Sequence, residues 1–274
     1  MDKIDVDIIR LLLNDSRVSY NQIADRLGVS INTVRSRIDK MLKQGLIKYH
    51  TIVNLDKFGY TLIYILIRYD NLDKLIEKLS VIGKVIMIVQ CLGDTFMIGL
   101  AIKDKDNPLE LVKAFIEPYN ASILFFKEPT NIRLSKNGLR IIKYLLNNPR
   151  VKSKDIADAL DISTKTVKRV IDYLLKNGII GFSIIMNPSR LEKYTNFGLI
   201  IKINDNTAIK RIYDMLEEHF LLSPLIYNNV IITVLYGESM QIIDEYYRKV
   251  KQIEGVNSVD LVIPLSVEIN TNIL

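Results

Sequence analysis

A chain of 274 residues, 49% hydrophobic and 25% charged, has material for about two cores, which excludes a disordered protein. Thirty-seven Lys and Arg against 31 Asp and Glu leave a formal charge of +6, a surplus whose location matters more than its size. The longest apolar runs, LIYILI at 62–67 and VIITVLY at 230–236, fall far short of the ~18 residues needed to span a bilayer. The start MDKIDVD lacks an apolar signal core, so a cytoplasmic protein is expected.

Ile8, Ile9, Leu12 and Leu13 recur at helical spacing and predict a first helix. A short second helix is expected over 20–27, ended by Gly28. The third is capped by Ser30, whose hydroxyl can bond the free amides of the first turn. Its period turns Val34, Ile38, Met41 and Leu42 inward. Small Ala24 permits close helix contact, and Gly28 four residues later permits a left-handed turn, the two demands of a helix-turn-helix. Gly45 ends the third helix, and the alternation in IKYHTIVN suits a short strand or wing. His50 in that strand has no partners at ligand spacing, so it is expected on the surface; no metal or cofactor is expected.

The next segment reads strand 61–69, helix 71–82, strand 84–92, a turn at Gly93-Asp94, strand 95–103, helix 107–119 and strand 121–129. That order, β-α-β-β-α-β, is a split ferredoxin-like unit. Cys91, the single cysteine, excludes an intrachain disulfide, and within VIMIVQCL it is expected to be a buried, inert thiol. PTNIRLSKNG (129–138) reads as a polar linker.

A shift of 133 residues then lays the chain on itself. IADRLGVSINTVRSRI (23–38) meets IADALDISTKTVKRVI (156–171), and Gly45 meets Gly178. A period this long is duplication of a domain unit, not a solenoid repeat. Ile141, Ile142, Leu145 and Leu146 repeat the first stripe, and Ser163 is the second cap. Val167, Ile171, Leu174 and Leu175 are expected inward, and Asp161 stands where the first copy has Gly28. Asp tolerates left-handed backbone better than most residues. The second ferredoxin-like unit is expected as strands 197–203, 225–229, 230–236 and 256–264 with helices 207–220 and 239–252; His219 sits alone in the first of these. The expected fold class is therefore α+β, two winged helix-turn-helix units (1–54 and 134–187) alternating with two ferredoxin-like βαββαβ units (57–130 and 190–274).

The third helix of the first copy exposes Asn32, Thr33, Arg35, Ser36, Arg37, Lys40 and Lys43. The second exposes Lys165, Thr166, Lys168, Arg169, Tyr173 and Lys176. Amide, hydroxyl and cationic groups of this kind suit base edges and phosphates of double-stranded DNA. Residues 1–50 carry nine Lys/Arg against six Asp/Glu, and 134–181 carry ten against four. The other segments are neutral or acidic, so the whole surplus lies on the two reading heads, an electrostatic footprint of nucleic-acid binding. Thr33, Ser36, Arg37 and Lys40 should form one groove-facing stripe whose counterparts are Thr166, Arg169, Val170 and Tyr173. Unlike stripes predict an operator with unlike halves.

The helix-turn-helix, then GLIKYHTIVNLDKFGY, then a β-α-β-β-α-β unit with GDTFMIGL at its central hairpin resembles the Lrp/AsnC-like (leucine-responsive, feast/famine) transcription regulators. KQIEGVNSVDLVI looks like the last helix and strand of that family. The resemblance covers the chain twice, whereas family members normally carry one copy and dimerise. It implies a prokaryotic regulator with a small effector, often an amino acid, held among the ferredoxin-like (RAM-type) domains; Gly93 and Asp94 match the family pattern there. A homodimer or higher homo-oligomer is a further expectation. Two other readings share the architecture: a siroheme decarboxylase-like enzyme, and a ligand-sensing adaptor without DNA binding. Two histidines and a basic surplus on the heads speak against the enzyme.

Overall fold

The computed structural model describes residues 1–119 and 121–270, so the tail of the segment expected over 190–274 lies outside the described residues. The first stripe folds as α1 (Lys3–Asn14), with Ile8, Ile9 and Leu12 fully buried. Each such side chain stabilises by roughly 1.5–3 kcal/mol relative to leaving it in water. α2 (Tyr20–Leu27) starts in a capping box: the Ser19 hydroxyl accepts the Gln22 amide, and the Gln22 side chain accepts the Ser19 amide. It ends on Gly28 at φ 66°, whose N–H donates to the Ala24 carbonyl. α3 (Ile31–Lys43) is capped by Ser30, which accepts the Thr33 amide at 3.0 Å, and buries Val34, Ile38 and Met41. β1 (Ile47–Val53) follows.

The first ferredoxin-like unit is β2 (Thr61–Arg68), α4 (Leu72–Ile82), β3 (Lys84–Cys91), β4 (Thr95–Ile102), α5 (Pro108–Ile116) and β5 (Ala121–Lys127). The second copy begins with α6 (Lys136–Asn147), α7 (Ser153–Leu160), α8 (Thr164–Lys176) and β6 (Ile180–Met186). α7 ends on Asp161 at φ 54°, its N–H on the Ala157 carbonyl, so the left-handed turn is kept without glycine. The unit continues with β7 (Thr195–Ile203), α9 (Thr207–Leu216), β8 (Phe220–Tyr227), β9 (Val230–Gly237), α10 (Met240–Lys251), β10 (Val256–Val262) and β11 (Pro264–Ile269). The fold is α+β, with winged helix-turn-helix and ferredoxin-like units in alternation.

The chain divides into two compact units that do not follow its order. One gathers Asp7–Leu62 and Lys127–Met186, the two reading heads; the other gathers Met1–Val6, Ile63–Phe126 and Asn187–Ile269, the two sheets. In the head unit β1 does not fold back as a wing on its own head. It pairs antiparallel with β6 from the other copy. His50 stands opposite Ser183, its own counterpart 133 residues later, so the ladder is symmetric about that pair, as in an isologous contact. The stretch read as a polar linker is tied down: Ile132 and Leu134 pack on the core of the second head, and Asn131 bridges to Phe58.

In the sheet unit the strand orders are β11-β3-β4-β2-β5 and β10-β7-β9-β8. Ile63, Ile65 and Ile67 face the unit's own helices with Leu75, Leu79 and Val112, and Phe197, Leu199 and Ile201 do the same with Ile212 and Ile243. The opposite faces meet each other: Val89, Cys91 and Leu124 pack with Ile200, Val230 and Val262. Tyr64 stacks on Phe125 at 4.3 Å, and Phe125 lies 6.1 Å from Tyr227. Each sheet is thus a second layer for the other.

Several boundaries differ from expectation, among them the helix expected over 107–119, which runs over Pro108–Ile116. The strand expected over 225–229 runs over Phe220–Tyr227, and Asn228, at φ 50°, begins the hairpin turn. The helix expected over 207–220 ends at Leu216, followed by a 3-10 turn, Glu217–His219. The strand expected over 256–264 is two strands, and the later one, β11, leaves its own sheet to pair with β3.

Candidate nucleic-acid interface

α3 and α8 each turn an apolar stripe to the core and a polar face outward. Asn32, Arg35, Ser36, Lys40 and Lys43 are exposed, while Thr33 and Arg37 are half-buried. On α8, Lys165, Lys168, Arg169, Tyr173 and Lys176 are exposed and Thr166 is half-buried. The two threonines have a local task. Their hydroxyls lie 2.8 and 2.9 Å from the caps Ser30 and Ser163, so they help shape the helix starts. Three expectations need correction. Leu175 is exposed and Leu42 half-buried, because both lie at the edge of the apolar stripe rather than at its centre. Val170 packs against the core of the second head and is not part of an outward stripe. The contrast between heads therefore rests on Asn32 against Lys165, Ser36 against Arg169 and Lys40 against Tyr173.

The two heads are locked by more than the strand ladder. Arg17 reaches across to the second copy, donating from Nε to the Pro149 carbonyl at 2.8 Å and from Nη2 to the Val151 carbonyl at 2.7 Å. Its guanidinium lies 4.3 Å over the Phe182 ring. Arg150, the counterpart of Arg17, reaches back to the Ser16 carbonyl at 3.0 Å and the Tyr49 hydroxyl at 3.2 Å. It lies 4.9 Å over Tyr49, the counterpart of Phe182. Each arginine thus ties its own head to the other, and the arrangement repeats under the same pseudo-twofold. Burial, then a hydrogen bond with Tyr20, pushes the Tyr49 phenol up to about 12, so it stays neutral beside Arg150. Burial, then the charge of Arg150, lowers the pKa of Arg17.

His50 was expected on the surface. It is 8% exposed, because the symmetric ladder places it at the centre of the joined heads, and burial, then Lys48, lowers its pKa. His219 is not alone: its Nε2 lies 2.5 Å from the Tyr246 hydroxyl and its Nδ1 3.3 Å from the Tyr236 carbonyl. Gly93 and Asp94 sit at the tip between β3 and β4, both left-handed (φ 74° and 51°), with the Asp94 carbonyl accepting the Tyr69 amide. Their geometry is that of a tight turn. Among the described residues no group of three or more His, Cys, Asp or Glu could hold a metal ion, and no helix is long and apolar enough to cross a membrane.

Arg17, Arg150, Lys152 and Lys154, none of which the pattern of the third helices flags, line an open groove with Lys168 beside α7 and α8. The signal that could have found Arg17 and Arg150 was their identity across the 133-residue shift at a position outside both apolar stripes.

Comparison with known proteins follows the same division. The winged helix-turn-helix DNA-binding family matches residues 1–48 and 134–180, once in each head. An uncharacterised HTH-type transcriptional regulator of Pyrococcus furiosus, PF1231, is 35% identical over 103 residues, 35% of this chain and 70% of the relative. Another from Pyrococcus horikoshii, PH0061, is 28% identical over 47% of this chain and 93% of its own length, so it corresponds to one copy. Among solved structures, the siroheme decarboxylase NirDL superposes with a TM-score of 0.53 over 97% of this chain and 92% of its own, at 14% identity, a likeness of fold.

Proposed function

We propose that this chain, which belongs to the HTH-type transcription regulators and resembles the Lrp/AsnC-like ones among them, binds duplex DNA as a single chain carrying both half-site contacts. The observation that carries this reading is the head unit. Two recognition helices with polar, cationic outer faces belong to one body, joined by a ladder symmetric about His50 and Ser183. Relatives with one copy need two chains to present two heads; here the duplication supplies the second. The heads are not identical, with Ser36 and Lys40 in one and Arg169 and Tyr173 in the other, so the halves of the operator differ in sequence. The site residues are those of α3 and α8 already placed on the outer faces, and a small effector such as an amino acid acts at the sheet unit, with Gly93 and Asp94 as the positions to vary.

Selection from a random duplex pool with purified protein tests the reading. The expected product is a site with two unlike halves, bound with a log–log salt slope of several units, roughly 0.9 per neutralised phosphate. Affinity indifferent to salt between about 50 and 200 mM would count against DNA as the ligand. A single short palindrome contacted equally by both heads would remove the unlike-halves claim.

One observation favours a second reading, an enzyme: a solved structure that superposes over 97% of this chain is a siroheme decarboxylase. Against it, His50 is buried between the heads and His219 is engaged by Tyr246, leaving no histidine free for a tetrapyrrole carboxylate. Addition of an iron-uroporphyrin with no change in its absorbance spectrum is the expected result; a shift with turnover would install the enzyme instead.

A further inference from the structure

The two heads differ most sharply beside their second helices. Arg17, Arg150, Lys152, Lys154 and Lys168 line one open groove, and among the described residues no carboxylate lines it. The three lysines are exposed and, among the described residues, none is held in an ion pair. Asp155 stands in the first turn of α7 beside Lys154, and Asp15 and Asp172 line an adjoining groove that shares Arg17, Ser153 and Lys168. At the 133-residue shift the positions of Lys152, Lys154 and Lys168 are Ser19, Asn21 and Arg35, one cation in place of three.

The helix starts differ in the same sense. Ser19 takes up an amide of the first turn of α2, whereas α7 begins after Lys152 with no side-chain cap. Ser153 and Thr164, the first residues of α7 and α8, both line the groove, so two positive helix ends open onto it. Arg17 and Arg150 are committed to backbone carbonyls, and burial, then the charge of Arg150, lowers the pKa of Arg17; an anion in the groove would offset that repulsion.

We infer that this groove anchors phosphates of the DNA backbone, so that the second head holds the duplex and sets its register while the first head contributes most of the base discrimination. The inference rests on the DNA-binding reading and divides labour within it. Phosphate contacts carry affinity but no sequence information, and three unpaired lysines beside two helix starts are chemistry of that kind. The first head, with Arg35 as its cation at these positions, presents Asn32, an amide able to pair bidentately with adenine, where the second head has Lys165.

The test is fluorescence anisotropy of a labelled duplex over salt from about 50 to 200 mM, with the full chain. The variant Lys152→Gln/Lys154→Gln/Lys168→Gln should lower the log–log slope by about 2.7, three phosphates at about 0.9 each. Its affinity should fall by the same factor on a selected operator and on a scrambled duplex. Arg35→Gln should lower the slope by no more than about 0.9 and reduce the ratio between the two duplexes. A triple variant with wild-type circular dichroism and melting and an unchanged slope would overturn the anchoring role while leaving the DNA reading intact. So would a loss confined to the selected operator. If millimolar inorganic phosphate raises the melting temperature of the wild type but not of the triple variant, while the slope is unchanged, the groove serves a small anion and the inference fails. A wild-type protein without salt-dependent binding removes the DNA reading, and the inference with it.

Discussion

Arg150→Ala tests whether the heads are clamped by the reciprocal arginines or merely zipped by β1 and β6. The guanidinium donates to the Ser16 carbonyl at 3.0 Å and to the Tyr49 hydroxyl at 3.2 Å. It also stacks 4.9 Å over Tyr49 and 5.1 Å over Tyr20. A hydrogen bond from a charged donor contributes about 1.5–3 kcal/mol, and partial exposure of this site brings each towards about 1 kcal/mol. The cation–π contacts add roughly 1 kcal/mol. Relief of repulsion with Arg17 offsets a little, leaving a loss of about 2–4 kcal/mol. In guanidinium titrations followed by circular dichroism, the midpoint should fall with little change in slope, since the strand ladder survives. Arg150→Lys should recover less than half, because an ammonium cannot supply the planar fork or stack as well. A loss under about 0.5 kcal/mol, the range of ordinary surface substitutions, would refute the clamp and leave the ladder as the joint.

Asp56 is fully buried, with Lys127 Nζ 2.8 Å from one carboxylate oxygen and Lys57 Nζ 3.4 Å from the other. Asp56→Ala should cost about 2–4 kcal/mol by denaturant titration, since the cationic partners lose their counter-charge, and a change within about 0.5 kcal/mol would contradict that. Asp161→Gly should stabilise by about 0.5–1 kcal/mol by removing a Cβ from left-handed backbone at φ 54°; a lower melting temperature would show that the Asp side chain supports the turn in its own right. His50 has a lowered folded-state pKa, from burial first and Lys48 second, so its contribution is present above the unfolded value of about 6.5 and is lost as pH falls below it. Melting temperature should therefore drop on acidification towards about pH 5.5, and His50→Asn should drop less; equal pH dependence in the two proteins would assign the effect elsewhere.

What the amino-acid order determined by itself is what local physics can decide. Spacing of Ile8, Ile9 and Leu12, the caps Ser30 and Ser163, and the left-handed stops at Gly28 and Asp161 act within one or two helical turns. Each was legible, and so was the outward position of Asn32, Arg35 and Lys168, because a helix face follows from its period. A 133-residue shift likewise exposed the duplication. Period is silent at the edges of a face, which is why Leu175 and Val170 exchanged the places expected of them. Partner choice between distant strands lay further out of reach. A strand of alternating residues offers the same row of amides to any neighbour, so nothing in IKYHTIV says that β1 takes β6 rather than a wing of its own. The same holds for β11, which joins the sheet of the first copy, and for Arg17 and Arg150, whose acceptors are carbonyls that every residue carries. Only packing of the two copies against each other selected those partners. That selection buried His50, bound the heads into one unit, and brought Arg17 to the same groove as Lys152, Lys154 and Lys168.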